Sequence, residues 1–105
     1  MIGLETALAL TLTELVEKKV LTAKQALEKM TAAPAKILNL PKGTLKAGSA
    51  ADVIVVDPNL AWTVETARFA SKSRNSPFGG WQLKGKVIHT IVNGRIVVRD
   101  GQLVV

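Results

Sequence analysis

The stretch KVIHTIVNGRIVVRDGQLVV, residues 86–105, decides the fold class of this 105-residue chain. Asn93-Gly94 is the strongest short-range hairpin signal a sequence offers, because a type I′ turn needs positive φ at both central positions. The segments on either side are rich in the β-branched residues that strands favour. Asp100-Gly101 marks a second turn before the final QLVV. The pattern predicts a small antiparallel meander at the C-terminal end.

Two further strands are predicted upstream of the meander. VIVV, residues 53–56, is a short β-branched run bounded by Asp52 and by Asp57-Pro58, which is typical of a buried strand. AWTV, residues 61–64, is a second short candidate. Residues 65–85 predict a long loop with one helical turn within VETARFA, because Pro77, Gly79 and Gly80 interrupt any regular element.

Helical spacing dominates the first part of the chain. Residues 3–19 place leucine and valine on one side of a predicted helix: Leu4, Leu8, Leu12, Leu15 and Val16. Leu10 lies off this stripe, so we expect the helix to be contacted on more than one side. A second helix is predicted to start at Thr22, where Thr22 and Gln25 form a capping-box pattern. Pro34 should end or kink that helix, or open a new short helix as its first residue.

The composition fits a globular chain, at 48% hydrophobic and 21% charged residues. The absence of cysteine excludes disulfides and thiolate metal sites. No apolar run is long enough to span a membrane, and no signal peptide is indicated, so we expect a cytoplasmic protein with no membrane partner.

The net charge of +6 is unevenly distributed, since residues 66–99 contain cations and no acidic residue. The cations of this stretch are Arg68, Lys72, Arg74, Lys84, Lys86, Arg95 and Arg99. Such a face can attract a polyanion, but a solvated face or a surface complementary to an acidic neighbour is the favoured interpretation. Aromatic residues make up only 4% of the chain, too few for a single-strand nucleic-acid binder. Nucleic acid is therefore not an expected partner.

No catalytic constellation is visible within the sequence. The single histidine, His89, lies in a predicted strand with no second metal ligand at a useful spacing, so a structural role is favoured. Three serines are available without an orienting base and acid: Ser71, Ser73 and Ser76. Asp52 and Asp57 would point to opposite faces of a strand. Asp52 is expected to cap a turn instead, and Asp57 to precede a proline turn. We predict no catalytic and no metal-binding residue in this chain.

Three stretches together resemble dihydroorotase, a metal-dependent cyclic amidohydrolase of the amidohydrolase superfamily. They are IGLETALALTLTELVEKKVLT at 2–22, AAPAKILNLPKGTLKAGSAADVIVVDP at 32–58 and SRNSPFGGWQLKGKVIHTIVNGRIVV at 73–98. The middle stretch looks like the pattern shared by the superfamily. The GLETAL opening and the NSPFGGWQLKG loop point to dihydroorotase in particular, and to its C-terminal portion only.

The resemblance implies an α+β fragment of a two-part fold. Residues 1–42 would be the last helices of a TIM-type (β/α)₈ barrel, and residues 43–105 the C-terminal strands of the small amidohydrolase β-sandwich. The glycine-rich loop with Phe78 and Trp81 would lie against a surface contributed by earlier sequence. Gly3 and Glu5 would follow directly after an active-site loop, which makes them the substrate-proximal residues.

The resemblance also implies that the reacting centre lies outside this sequence. The family uses zinc in the hydrolysis of a cyclic amide, and its metal ligands and catalytic Asp would all precede Met1. We therefore expect this chain to bind no zinc and to be inactive alone. Its first partner would be the missing N-terminal barrel portion of the same protein.

Two alternatives stay open from the sequence. The chain could be a non-catalytic scaffold derived from dihydroorotase, supporting a partner such as aspartate carbamoyltransferase. It could instead be the tail of another cyclic amidohydrolase, a hydantoinase or an allantoinase. In either case the apolar helix stripe and strands need partners, so we expect a homo-oligomer if the chain is isolated.

Overall fold

Three short helices precede a four-stranded antiparallel sheet in this computed structural model, which describes residues 1–104. The helical elements are α1 (Ala7–Leu10), a π-helical segment (Thr11–Val16), α2 (Ala23–Met30), α3 (Ala32–Ile37) and a 3-10 turn (Thr66–Arg68). The strands are β1 (Val53–Thr63), β2 (Gln82–Val92), β3 (Arg95–Arg99) and β4 (Gln102–Leu103), paired in that order. The predicted α+β order and the turn within VETARFA are both confirmed.

Both predicted hairpin turns are present. Asn93 and Gly94 have φ of 49° and 77°, and Asp100 and Gly101 have φ of 50° and 76°, as type I′ turns require. The last predicted residue of the meander, Val105, lies outside the described residues. The first turn is also held from outside the hairpin, because Gly94 N–H donates to Ala51 O at 3.0 Å.

β1 corrects the prediction of two separate strands around Asp57-Pro58. It runs on to Thr63, but its pairing with β2 breaks after Asp57↔Lys86 and resumes only at Ala61↔Lys84. The Asp57 carboxylate accepts a hydrogen bond from Asn59 N–H at 2.9 Å, which makes the local turn that the sequence predicted. The proline interrupts the ladder, and the apolar residues beyond it restore the strand.

The first helix is shorter and less regular than predicted. It begins at Ala7, and its second half is π-helical from Thr11 to Val16. Because residues before Ala7 are not helical, the predicted stripe fails at Leu4, which is 97% exposed. Leu12 is buried as expected, and Leu10, predicted to be contacted although it lies off the stripe, packs against the core.

α2 begins with the predicted capping box. The Thr22 side chain accepts from Gln25 N–H and the Gln25 side chain accepts from Thr22 N–H. The chain turns at Thr31 before α3 starts at Ala32. Pro34 is therefore the third residue of the new helix rather than its first, a position where its missing N–H costs no hydrogen bond.

The core is small and lies where α1 meets the N-terminal end of β2. It consists of Ala9, Val64, Phe69 and Leu83, with Ile2, Leu10 and Trp62 packed around them. The other end of the sheet has no such cover, since Ile54 and Val55, neighbours on β1, remain 47% and 41% exposed. None of the helices within residues 1–104 is both long and apolar enough to cross a bilayer.

Candidate functional site

Gly3 and Glu5 lie where the segment before α1 meets the loop that follows the 3-10 turn. The Glu5 carboxylate accepts from Ala70 N–H, with its two oxygens 3.2 and 3.3 Å away. Ile2 N–H donates to Asn75 O at 2.9 Å, and Gly3 O accepts from Ala7 N–H at 3.0 Å. These bonds fix the entry into α1 against residues 69–75. The predicted substrate proximity of Gly3 and Glu5 stays a prediction.

Arg74 organises this loop from within. Its guanidinium donates to Phe69 O at 3.0 Å, and also to the carbonyl oxygen of Ser71. Carbonyl oxygens converging on one guanidinium give a fixed loop conformation, because its donors have a rigid planar arrangement. This places the buried Phe69 ring in the core.

Phe78 and Trp81 pack on each other, at 5.1 Å between ring centroids and an interplanar angle of 79°. Edge-to-face geometry of this kind is a favourable aromatic pairing. Trp81 nevertheless remains 45% exposed. The pair thus closes part of the loop and leaves an apolar surface on its outer side.

A groove of about 490 Å³ runs between α1 and the paired strands β1 and β2. Its charged lining residues are Glu5, Glu65, Arg68 and Lys86. Arg68 lies 3.8 Å from Glu65, and Lys86 Nζ lies 5.1 Å from the centre of the Trp62 ring. The lining contains no serine and no histidine. The groove can bind apolar or mixed surfaces, but it offers no nucleophile with an adjacent base.

Several cations of the basic stretch at residues 66–99 have partners inside the chain. Lys84 pairs with Glu17 at 3.1 Å, and Arg68 pairs with Glu65. Arg74 is turned to backbone carbonyls and Lys86 to an aromatic ring. Contacts inside the chain therefore occupy several of the cations that the sequence grouped together.

His89 has a structural contact, the role the sequence favoured. Its Nδ1 accepts from Asp100 N–H at 3.2 Å, and its Nε2 lies 3.8 Å from Asp100 Oδ1. Within residues 1–104 no group of three His, Asp or Glu side chains is placed to hold a metal ion. The described residues therefore do not fit a zinc site.

Asp52 directly precedes β1 and contacts two other parts of the chain. It accepts from Asn93 N–H at 2.9 Å and forms an ion pair with Lys42. The hydrogen bond from Lys42, followed by the one from Asn93 N–H, lowers the pKa of Asp52 below its usual value. The sequence predicted that Asp52 caps a turn, and the structure shows that this is the β2–β3 turn.

Gly85 is a structural residue that sequence reasoning missed. Its φ is +103°, and a Cβ there would lie 2.5 Å from Leu12 Cδ1. Its carbonyl oxygen accepts from the Trp62 indole N–H at 2.9 Å. A glycine inside the otherwise strand-like QLKGKV was the available signal, since it marks a bulge or a close approach.

The sequence profile described as "Amidohydrolase family" matches residues 1–97. Curated relatives include the dihydroorotase of Pelotomaculum thermopropionicum, 55% identical over 95% of this chain, and that of Syntrophus aciditrophicus, 53% identical over 93%. The chain spans 23% of the length of each of these relatives. The resemblance that the sequence motifs indicated is thus confirmed.

Solved structures of related enzymes contain the same arrangement of elements. The L-hydantoinase (dihydropyrimidinase) of Arthrobacter aurescens superimposes with a TM-score of 0.91 and 36% identity, over 99% of this chain and 24% of that one. The dihydropyrimidinase of Brevibacillus agri gives a TM-score of 0.85 at 30% identity, over 91% of this chain and 21% of that one. The helices and the meander together therefore match a part of larger proteins.

Proposed function

Because the chain belongs to the amidohydrolase family, we propose that it is the C-terminal segment of a dihydroorotase. That enzyme interconverts N-carbamoyl-aspartate and dihydroorotate in de novo pyrimidine biosynthesis, in the cytoplasm. Residues 1–42 would be the terminal helices of its barrel, and residues 43–105 the C-terminal part of its composite β-sandwich. The contribution of this segment is packing, and the reacting groups belong to the rest of the enzyme.

One observation carries the proposal. The chain is 55% identical to a dihydroorotase over 95% of its own length, yet it corresponds to only 23% of that enzyme. Identity at this level supports a shared structural role for the matched quarter. That this chain takes part in the activity of the whole enzyme is part of the proposal.

The surface of the sheet supports a role as one part of a larger assembly. An antiparallel sheet with one face in water alternates apolar and polar residues along each strand. Residues 53–56 are instead all apolar, and residues 87–92 of β2 are apolar except for His89 and Thr90. Both faces at this end of the sheet therefore have the composition of covered surfaces.

The zinc chemistry of the full enzyme would not involve residues 1–104, because they provide no set of metal ligands. We expect the isolated chain to show no dihydroorotase activity. The expected partner is the N-terminal portion of the same enzyme, which would supply the ligands and the catalytic Asp.

Fragment complementation tests this proposal. The part of the Pelotomaculum thermopropionicum dihydroorotase that this chain does not match would be produced separately and mixed with the purified chain in the presence of zinc. We expect dihydroorotate conversion from the mixture and none from this chain alone. A chain carrying Gly85→Trp, which cannot pack against Leu12, is the matched control and should not restore activity.

Conversion by the 105-residue chain alone would contradict the proposal. So would a mixture that stays inactive while the two pieces form a stable complex. In that case the scaffold alternative would stand, and binding to aspartate carbamoyltransferase would be measured directly.

A hydantoinase is the second candidate, favoured by the TM-score of 0.91 with the Arthrobacter aurescens enzyme. Its sequence identity of 36% is lower than the 55% found for a dihydroorotase, so dihydroorotase is preferred. Complementation of a hydantoinase missing the same portion, assayed with hydantoin, would distinguish the two.

A further inference from the structure

The outer edge of β1 is the open edge of the sheet that can accept another strand. Within residues 1–104 the sheet order leaves β1 and β4 at the two edges. β4 has two residues, whereas β1 has eleven. A two-residue edge is too short to template pairing. On the side of Val53–Asp57 away from β2, the backbone N–H and C=O groups have no backbone hydrogen-bond partner among the described residues.

The segment that contains the β1 edge has no cationic side chain. Residues 47–67 contain no lysine or arginine, although the chain carries 14 of them and a net charge of +6. The usual protection of an edge by lysine is therefore missing between Val53 and Asp57, and the first proline comes at position 58. Two copies can approach through this edge without bringing their basic segments together.

We propose that the outer edge of β1 pairs with the same edge of a second copy of the chain, antiparallel and centred on Val55. This inference concerns the isolated chain and goes beyond the proposed function. It requires no contribution from another protein.

The register follows from symmetry. Successive residue pairs in an antiparallel ladder alternate between hydrogen-bonded and non-hydrogen-bonded types. A two-fold axis perpendicular to the sheet must therefore pass midway between a residue and the same residue of the second copy, which are directly paired. Val55 is the centre of the regular segment Val53–Asp57, which ends where pairing with β2 is lost.

This register opposes no like charges. Val55 would face Val55, Ile54 would face Val56, and Asp57 would face Val53 of the second copy. Asp52 already has Lys42 as its ion-pair partner, and Asp57 is aligned with Lys86 on β2. The result would be a continuous eight-stranded sheet with β1 and its copy at the centre.

Cysteine cross-linking tests this pairing, because the natural chain has no cysteine. Directly opposed residues in an antiparallel pair have Cα atoms about 4.5–5.5 Å apart, a distance that a disulfide spans. We expect the Val55→Cys chain to form an intermolecular disulfide under mild oxidation and to run at twice the mass of one chain. The matched control is Leu103→Cys on the opposite edge, where the side chain is 73% exposed and no cross-link is expected.

Hydrogen exchange on the unsubstituted chain tests the same pairing without a mutation. Within Val53–Asp57, the alternate amides that point away from β2 should become protected as concentration rises, in step with the increase in sedimenting mass. A chain that stays monomeric at all concentrations, folded or not, overturns the proposal. So does an oligomer in which these amides stay unprotected, or one that cross-links through Leu103→Cys and not through Val55→Cys.

Discussion

Gly85 has a φ of +103°, and a Cβ at this position would lie 2.5 Å from Leu12 Cδ1. We expect Gly85→Ala to lower the free energy of unfolding by about 2–5 kcal/mol, the sum of left-handed backbone strain and overpacking. Gly101→Ala is the control, since φ is +76° with nothing within 4 Å, and it should cost only the strain, about 1–2 kcal/mol. Urea denaturation of both variants gives the comparison.

The steric part of the Gly85 effect can be separated by a double substitution. Leu12→Ala removes the side chain that a Cβ would meet, so it should make Gly85→Ala less costly by about 1–3 kcal/mol. Additive effects of the two substitutions would show that the Leu12 contact does not limit residue 85. The strain at φ would then account for the whole loss.

Asp52 gives the sheet a defined acid sensitivity. Its pKa is lowered from 3.8, first by Lys42 and then by Asn93 N–H. A carboxyl group whose pKa is lower in the folded state than in the unfolded state stabilises the fold at pH values above the unfolded-state pKa. That stabilisation is lost as the pH falls through the folded-state pKa. Stability measured by urea denaturation should therefore decline as pH falls below 3.8.

Lys42→Met removes the first cause of this shift and should make the decline at low pH smaller. Asp52→Asn should remove the contribution of this site to the loss of stability at low pH, while retaining a side-chain oxygen that accepts from Asn93 N–H. If the unsubstituted chain and the Asp52→Asn chain lose stability equally on acidification, Asp52 is not a source of the acid sensitivity.

At the scale of elements, one hydroxyl makes two hydrogen bonds between the π-helical segment and the backbone of β2. Thr13 Oγ1 donates to Lys84 O at 3.0 Å and accepts from Lys84 N–H at 2.9 Å. Thr13→Val keeps the side-chain shape and removes both bonds, so we expect a loss of about 1–2 kcal/mol in urea denaturation. Thr11→Val is the control, because Thr11 Oγ1 bonds only to Ala7 O within its own helix.

An equal effect of the two threonine substitutions would contradict this role for Thr13. The loss would then reflect helix propensity, which is common to both positions. Only a larger effect at Thr13 supports a specific connection between the helix and β2.

The elements differ in how far the sequence could predict them, and local chemistry explains the difference. The turns at Asn93-Gly94 and Asp100-Gly101 and the Thr22 capping box depend on neighbouring residues, and the structure confirms them. The π-helical segment and the resumption of β1 after Pro58 depend on contacts with β2. Periodicity within one segment contains no information about such contacts, so these features were mispredicted.

The candidate site shows the same division between local and long-range information. The turn-capping role of Asp52 followed from its place before a strand, but its partners Lys42 and Asn93 come from distant sequence. The hydrogen bond from Ala70 N–H to the Glu5 carboxylate joins residues 65 positions apart, and no sequence motif predicted it. What the motifs could indicate was the family, because that depends on residue identity rather than on contacts.

At the scale of the whole molecule, the buried core is confined to one end of the sheet, and the apolar residues of β1 at the other end stay half exposed. Ile54 and Val55 are adjacent on the strand and therefore point to opposite faces. If both faces are covered in the assembled enzyme, these side chains contribute little stability in the isolated chain and much more in the assembly. The two contexts can be compared directly with the same substitutions.

We expect Ile54→Thr and Val55→Thr each to change the free energy of unfolding of the isolated chain by less than about 0.5 kcal/mol, since half-exposed positions bury little apolar area. In the complex with the complementary dihydroorotase portion, each should cost about 1–3 kcal/mol, because burial then leaves a hydroxyl against apolar neighbours. Val64→Thr is the control, because Val64 is 2% exposed within this chain. This substitution should destabilise both the isolated chain and the complex. If Ile54→Thr and Val55→Thr have equal effects in the chain and in the complex, the sheet faces are not interfaces, and its apolar composition needs another cause.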